Sequence, residues 1–360
     1  MTSERTVHVQ VITSRTGGGA ELLARELCAR IAASGLLSQA IYFGTRPDEK
    51  LGAGEYSLGL SPRNPMAILA LRKKLKRLAG AHRKLVVHAH LTWPFLYVAI
   101  ATLGLNVRLV YTEHNTTNKR RGVPGARWLD RLLYQRYDRI ICISKGVYEA
   151  LAQWVGPAVR PRLVMVPNGS RLFELKPRSL QAQGRVRLVS VGSLTHKKGY
   201  EVALEAVAQS GGAVESYTII GEGPERPTLE ARIRDLNIES TVRLAGWIDD
   251  IQAALHEAHI QLIPSRWEGF GLVAVEGMSS GLPIIASDVD GLREVLDPQN
   301  PAVRLITNHR DPEQWLIAIE SVAGALRQEL PLHHASRTQA EKFSLETMVD
   351  GYLAIYRELK

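Results

Sequence analysis

Short apolar runs alternate with amphipathic helical patterns along this chain, and the alternation occurs twice. Short apolar runs that are separated by helices are typical of parallel strands, which helices cover on both faces. The strand patterns run from 7–13 to 163–167 in the first half and from 186–191 to 303–307 in the second. We therefore predict an α/β protein with two doubly wound units, each a parallel sheet between layers of helices.

A polar stretch with two Pro and two Gly, 167–184, separates the two runs. Linkers between domains have this kind of composition. We predict an N-terminal domain over 1–170, a linker over 171–184, a second domain over 185–342 and a final amphipathic helix within 343–360. Doubly wound units present their ligand sites at the carboxyl ends of the strands.

The composition is that of a globular protein, with 45% hydrophobic and 22% charged residues. No apolar run reaches the roughly 20 residues that cross a bilayer. The N-terminus enters a strand pattern without the apolar core of a signal peptide. Cys28 and Cys142 are too few for a disulfide framework. These features favour a cytoplasmic protein whose two cysteines are reduced core residues.

Charge is divided unequally between the two halves of the chain. Residues 1–180 contain 28 Lys and Arg against 11 Asp and Glu, whereas residues 181–360 contain 17 against 25. A basic half indicates an anionic partner such as membrane lipid, phosphate or nucleic acid, and ordinary solvated surface charge is the alternative. The chain lacks the aromatic-interleaved signatures of nucleic-acid modules, so a nucleic acid is not expected.

Residues 65–84 form a basic amphipathic pattern with apolar residues at helical spacing. Its basic residues are Arg72, Lys73, Lys74, Lys76, Arg77, Arg83 and Lys84. Such a helix lies well on an anionic membrane, and it equally suits packing on a sheet with a solvated basic face. A second basic cluster, 119–121, would suit a phosphate-bearing acceptor.

The strongest functional signal is the segment 264–276, which reads Pro-Ser-Arg-Trp-Glu-Gly-Phe-Gly-Leu-Val-Ala-Val-Glu. Glu268 follows a strand pattern, and Glu276 lies about two helical turns further on. Free N–H groups at the start of a helix bind phosphate or sugar oxygens. This segment closely resembles the E-x7-E signature of the retaining glycosyltransferases of family 4.

The resemblance covers nearly the whole chain, from Gly17 to the last helix. It implies the GT-B fold, in which two Rossmann-like doubly wound domains face a cleft and the C-terminal helix returns towards the N-terminal domain. It also implies a hexosyltransferase-type enzyme whose donor is a nucleotide-sugar, with UDP as the expected nucleotide.

The resemblance assigns the donor diphosphate to the loop 191–199. Lys198 matches the Lys that binds the diphosphate in the family, whereas Ser193 stands where an Arg is usual. Arg266 and Lys197 are the two candidates to replace the missing cation. A strand–loop–helix junction with Lys suits a diphosphate, because the helix N-terminus carries partial positive charge.

The remaining donor contacts follow from the same resemblance. Glu276 would accept hydrogen bonds from the ribose hydroxyls, and Glu268 would face the donor sugar. The other donor-binding candidates are Gly18, Gly19, Gly221, Phe270, Gly271 and Leu272.

Acceptor-side residues are implied at strand ends in the first half. The segment 13–21 resembles the family's GGxE loop, with Glu21 as its acid, and His114 matches the His held near the transferred sugar. His90 and Asn115 are further acceptor-side candidates. We expect Glu268, His114 and Lys198 to be the catalytic residues.

No metal or cofactor is predicted. The segment 288–290 has the D-x-D form of a metal motif from another glycosyltransferase fold, but its place matches a turn of family 4. His333 and His334 lack a Cys or carboxylate partner at ligand spacing.

These features predict a retaining, metal-independent glycosyltransferase of cell-envelope polysaccharide or lipopolysaccharide synthesis. It would act on a glycan or lipid-linked acceptor, in the cytoplasm and peripherally at the inner face of the plasma membrane. Two alternatives remain open: a nucleotide-sugar epimerase of the same fold, and a basic non-catalytic protein that binds nucleic acid or membrane.

Overall fold

A computed structural model of the chain describes residues 6–15, 19–45, 50–82, 84–115 and 118–359. Contacts divide the chain into two compact units. The first contains Met1–Pro167 and Met348–Lys360, and the second contains Asn168–Thr347. The predicted linker 171–184 belongs to the second unit, where Arg178 is buried and donates to Ala258 O at 2.9 Å.

The first unit is built on a parallel seven-stranded sheet with the order β3-β2-β1-β4-β5-β6-β7. Its strands are β1 (Val7–Ser14), β2 (Leu37–Gly44), β3 (Glu55–Ser57), β4 (Leu85–His90), β5 (Arg108–Glu113), β6 (Arg139–Cys142) and β7 (Leu163–Met165). Its helices are α1 (Gly19–Ala33), α2 (Met66–Ala81), α3 (Thr92–Ala101), α4 (Ala126–Tyr134) and α5 (Lys145–Val155). The strand order reverses between β1 and β4, which is where a doubly wound sheet binds ligands.

The second unit is built on a parallel six-stranded sheet with the order β10-β9-β8-β11-β12-β13. Its strands are β8 (Val186–Val191), β9 (Val214–Ile220), β10 (Val242–Gly246), β11 (Ile260–Ile263), β12 (Ile284–Ser287) and β13 (Val303–Ile306). Its helices are α6 (Tyr200–Ala208), α7 (Arg226–Asp235), α8 (Ile251–Glu257), α9 (Leu272–Ser279), α10 (Asp290–Arg293), α11 (Pro312–Arg327) and α12 (Leu332–Glu341). The order reverses between β8 and β11, so the carboxyl ends of these two strands form the expected ligand edge.

The last helix, α13 (Leu345–Glu358), begins in the second unit and continues in the first from Met348 onward. Its residues Tyr352 and Tyr356 are buried against the sheet of the first unit. The chain therefore contributes its final helix to the first unit, as the resemblance implied.

The basic helix α2 packs on α3 with its apolar stripe. Leu71, Leu75 and Leu78 are buried. Most of the apolar residues that the sequence pattern predicted to face a membrane are therefore covered by protein. Arg72 donates to Ala101 O at 2.9 Å and to Leu103 O at 2.7 Å, at the end of α3. Arg83 lies outside the described residues. Within the described ranges, no helix combines the length and apolarity needed to cross a bilayer.

Gly277 allows α9 to lie directly on β11. A Cβ at this position would stand 1.6 Å from Gln261 Oε1. Gln261 is fully buried and donates to Val273 O at 3.1 Å, so moving its side chain would break that bond. The glycine after Glu276 is therefore a packing requirement of the helix that carries Glu276.

We expect Gly277→Ala to lower the free energy of unfolding by about 1–3 kcal/mol, as overpacking does. Gly324→Ala is the matched control, because Gly324 also lies in a helix and a Cβ there would meet nothing within 4 Å. That control should be neutral or stabilising by up to about 1 kcal/mol. Urea unfolding of the two variants decides the point, and equal effects would contradict the packing argument.

Candidate functional site

The loops after β8, β9 and β10 are joined by backbone hydrogen bonds. Gly192 N donates to Ile220 O at 2.9 Å, and Gly221 N donates to Gly246 O at 2.8 Å. Gly221 has a φ of 141°, and a Cβ there would stand 2.1 Å from Gly192 O. Only glycine fits this approach. The contact fixes the loop that carries Ser193, whose side chain is exposed.

A cluster of charges lies where the loops after β8 and β11 meet. Glu268 Oε1 is 2.6 Å from Lys198 Nζ, and Glu268 Oε2 is 2.9 Å from Lys197 Nζ. Ser265 Oγ also donates to Glu268 Oε1 at 2.8 Å. Burial would raise the pKa of Glu268, whose side chain is only 7% exposed, but the two lysines outweigh it and hold the pKa below the ordinary value. Two lysines and one carboxylate give the cluster a formal net charge of one positive unit.

Arg266 is directed away from this cluster. Its guanidinium lies 3.6 Å from Glu201 Oε2, and the residue lines a cavity of about 170 Å³ together with Glu201, His309 and Arg310. Arg266 Nε is buried and has no hydrogen-bond partner among the described residues. Of the two candidates for the missing cation, Lys197 is the one that stands beside Lys198.

The loop between Glu268 and α9 leaves backbone donors free. Gly271 adopts a left-handed φ of 81° immediately before the helix. Within the described part of the chain, no hydrogen bond takes the N–H of Phe270, Gly271 or Leu272. The Phe270 ring itself is buried against Phe343. These residues therefore offer amide N–H groups rather than side chains to a ligand.

The carboxylate of Glu276, which lies on α9, is hydrogen-bonded to a residue that the sequence analysis did not predict. Ser170 Oγ donates to Glu276 Oε1 at 3.1 Å. Burial raises the pKa of Glu276, while Ser170 and the nearby Arg171 lower it in part. Ser170 lies in the Pro-Asn-Gly-Ser stretch that was assigned to the end of the first domain, so nothing in its local sequence indicated this role.

Polar side chains cover one face of the central strands in the first unit. In the parallel register, Gln10 pairs with His88 and His90 pairs with Thr112. Tyr356 of α13 links these strands, because its hydroxyl accepts from Gln10 Nε2 at 3.2 Å and lies 2.6 Å from His88 Nδ1. His88 Nε2 lies 2.7 Å from Thr112 Oγ1. His88 is thus an interior member of a hydrogen-bonded network.

This network determines the tautomer of His90. Gln10 Oε1 lies 2.8 Å from His90 Nε2, and an amide oxygen only accepts, so Nε2 carries the proton. His90 Nδ1 is then a bare acceptor, and it is buried without a partner among the described residues. His114 lies beside it with the ring centroids 5.7 Å apart, and His114 Nε2 is likewise buried and unpartnered in the described structure. The structure thus brings His90 and His114 together at the carboxyl ends of β4 and β5.

Burial lowers the pKa of His114 to about 4, so the ring is neutral at neutral pH. The pKa of His90 is lowered well below its ordinary value by burial and by the neighbouring histidines. Asn115, the residue after His114, has an exposed side chain. Gly19 and Glu21 lie in the first turn of α1, and Gly18 lies outside the described residues.

The described residues contain no group of three or more His, Cys, Asp and Glu side chains that could hold a metal ion. Asp288 and Asp290 of the D-x-D segment both pair with Arg293, with Asp288 Oδ2 2.9 Å from Arg293 Nη2. The rings of His333 and His334 lie next to each other, tilted by 42° with their centroids 4.2 Å apart.

Two family profiles match this chain. The family described as Glycosyltransferase Family 4 matches residues 17–171, and Glycosyl transferases group 1 matches residues 185–324. The chain is 25% identical over 317 residues, 81% of each chain, to alpha-D-kanosaminyltransferase of Streptomyces kanamyceticus. It is 28% identical over 231 residues, 62% of this chain and 66% of the relative, to the lipopolysaccharide core biosynthesis glycosyltransferase LpsE of Rhizobium meliloti.

Solved structures show the same architecture. Anabaena HepE, determined in complex with UDP, superposes with a TM-score of 0.80 at 18% identity. The superposition covers 98% of this chain and 100% of the HepE chain. The two parallel-sheet units thus form the GT-B fold that the resemblance implied.

We expect the unfolding free energy to fall between pH 7 and pH 4, in part because of His114. The unfolded His114 binds a proton below about 6.5, whereas the folded one does so only near 4. The unfolded state therefore binds more protons in this window, and stability is lost as the pH falls. In His114→Asn this loss should be smaller by about 3 kcal/mol. Urea unfolding at a series of pH values measures it, and parallel curves for the two proteins would contradict the lowered pKa.

Proposed function

This chain belongs to glycosyltransferase family 4 and has the GT-B fold, and from that premise we propose that it is a retaining enzyme with a UDP-sugar donor. The acceptor we propose is a glycan or lipid-linked saccharide of cell-envelope polysaccharide or lipopolysaccharide synthesis. The names of LpsE and of the UDP complex of HepE support the pathway and the nucleotide. The relatives reported above are transferases, which gives the epimerase and non-catalytic alternatives no support.

The observation that carries the proposal is the pair of lysines on Glu268. Two ammonium groups and one carboxylate leave a net positive charge at the carboxyl ends of β8 and β11. A diphosphate would replace Glu268 as the partner of Lys198 and Lys197 and would gain the free amides at the start of α9. Preorganised donors of this kind stabilise the charge that develops on a leaving group. Lys197 would take the place of the family's missing Arg.

Glu276 would bind the ribose of the donor. An ionised carboxylate accepts strongly from a vicinal diol. Burial already raises the pKa of Glu276, so its charge is only partly compensated by Ser170 and Arg171. The ribose hydroxyls would supply the missing hydrogen bonds. The residue would thus give up some folding stability for affinity, as functional groups often do.

His114 would orient the transferred sugar rather than remove a proton. A group with a pKa of about 4 is a weak base at neutral pH. The acceptor proton would therefore pass to the departing diphosphate on the same face of the sugar, which retains the anomeric configuration. With lysines and amides on the diphosphate, we propose that no metal ion is needed.

Lys198→Ala should lower kcat/KM about 100- to 1000-fold, the range for loss of one preorganised donor. Lys197→Ala should cost about tenfold or more, since a second charged contact is lost. Arg266→Ala is the matched control and should have the smallest effect, because its guanidinium faces Glu201. Turnover of a UDP-sugar panel, assayed with and without EDTA, decides the proposal. A larger loss at Arg266 than at Lys197, or inhibition by EDTA, would overturn it.

Glu276→Gln should weaken UDP binding by about 1.5–3 kcal/mol, the value of a hydrogen bond to a charged group. The same variant should keep its stability, because the amide preserves the bond from Ser170 and removes a buried charge. Calorimetric titration with UDP and thermal unfolding give the two readouts. Unchanged UDP affinity in the folded variant would remove the ribose role.

A further inference from the structure

The exposed apolar side chains of this protein are concentrated in one segment. Among the described residues, sixteen large hydrophobic side chains are exposed, and nine of them lie between Met66 and Leu132. Those at the starts of α2 and α3 and on α4 are Met66, Leu69, Trp93, Trp128, Leu129 and Leu132. Exposed apolar groups that cluster in this way mark a surface that contacts another phase or partner.

Helix α4 is turned with its apolar face outward. Trp128, Leu129 and Leu132 are 69%, 50% and 44% exposed and share one side of the helix by their spacing. Asp130, on the other side, is buried and accepts from Trp154 Nε1 at 2.8 Å. Tyr134 is also buried, and its hydroxyl donates to Glu113 at 3.1 Å. The helix is thus fixed to the unit by its polar contacts, and its largest apolar groups are left free.

The same segment has no exposed carboxylate. Residues 61–137 contain fifteen Lys and Arg and only two acids, Glu113 and Asp130. Both acids are buried, at 1% and 2% exposure. Lys73, Lys76 and Arg77 on α2 are exposed. The exposed charged side chains of this segment therefore all have one sign.

The sheet topology of the first unit places the exposed apolar and basic residues of this segment in one layer of helices. Right-handed connections put α2, α3 and α4 on the same face of the sheet. Each of these helices begins near the carboxyl ends of the strands, so Met66, Trp93 and Trp128 share the edge of His90 and His114. Asn118 Nδ2 donates to Thr92 Oγ1 at 3.0 Å and links the segment before α4 to the start of α3.

We propose that the outer layer formed by α2, α3 and α4 docks on an anionic lipid surface. Trp128, Leu129 and Leu132 enter the headgroup–acyl boundary, where tryptophan is favoured, and Lys73, Lys76 and Arg77 contact lipid phosphates. A second copy of the chain is a poor occupant, because it would bring two predominantly basic surfaces together. A nucleic acid offers phosphates but no apolar phase for α4. The presentation of a lipid-linked acceptor at this edge rests on the proposed function, whereas the lipid contact itself does not.

Vesicle flotation tests the surface. Wild type should bind vesicles of phosphatidylcholine with phosphatidylglycerol at low salt and bind weakly to phosphatidylcholine alone. Trp128→Ser/Leu132→Ser should lower the partition coefficient about tenfold or more. The matched control is Ile317→Ser/Leu330→Ser, which removes two exposed apolar groups of the second unit and should bind as wild type does. Leu129→Ser is a milder second variant with the same expected direction.

Charge is tested separately on α2. Lys73→Glu/Lys76→Glu should release the protein at low salt, whereas Arg234→Glu/Arg243→Glu, at exposed positions of the second unit, should not. UDP titration of every variant separates this surface from the donor site. Lost vesicle binding with unchanged UDP binding supports the proposal. Vesicle binding that ignores Trp128 and Leu132, or a dimer or duplex-DNA complex that requires them, overturns it. If the wild-type protein binds vesicles but not UDP, the proposed lipid-binding surface stands and only the proposed function is overturned.

Discussion

The ion cluster around Glu268 is the interaction on which the second unit's site depends. A buried carboxylate is costly unless it is paired and hydrogen-bonded, and Lys197, Lys198 and Ser265 meet that need together. The cluster also ties the loop after β8 to the loop after β11, across the point where the strand order reverses. Lys198 is therefore held in place by Glu268, and in the function that we propose a diphosphate would have only to displace this one carboxylate.

Close backbone contacts hold the loops around this cluster. Gly221 approaches Gly192, and a Cβ on Gly291 would stand 2.3 Å from Glu268 O. Because these contacts leave no space for a side chain, packing alone requires glycine at these two positions. The loop that carries Glu268 is consequently fixed from two sides. In the first unit, a hydrogen-bonded His–Gln–Tyr network that includes Tyr356 of α13 fixes the tautomer of His90.

Sequence periodicity predicted the two alternating units and their parallel strands, because short apolar runs between helices have few other solutions. It did not predict which face of a helix is covered. In α2 the apolar stripe is buried on α3, whereas in α4 Trp128 faces outward and Asp130 inward. The sequence likewise could not separate Lys197 from Arg266 as neighbours of Lys198, since that depends on which way Arg266 leaves its loop. Ser170 was missed because it is 106 residues from Glu276.

Folding does not explain the positive charge of the first unit. Its neutral histidines are buried and its two acids within 61–137 serve internal contacts. Lys73, Lys76 and Arg77 of α2 remain exposed, and the same segment also exposes leucine and tryptophan side chains. Repulsion among like charges weakens a compact state, and exposed apolar groups forgo the stabilisation of burial. An acidic protein would relieve the first of these losses, and an apolar groove would relieve the second. An anionic bilayer interface relieves both at once, because it combines phosphate charge with an adjacent apolar phase.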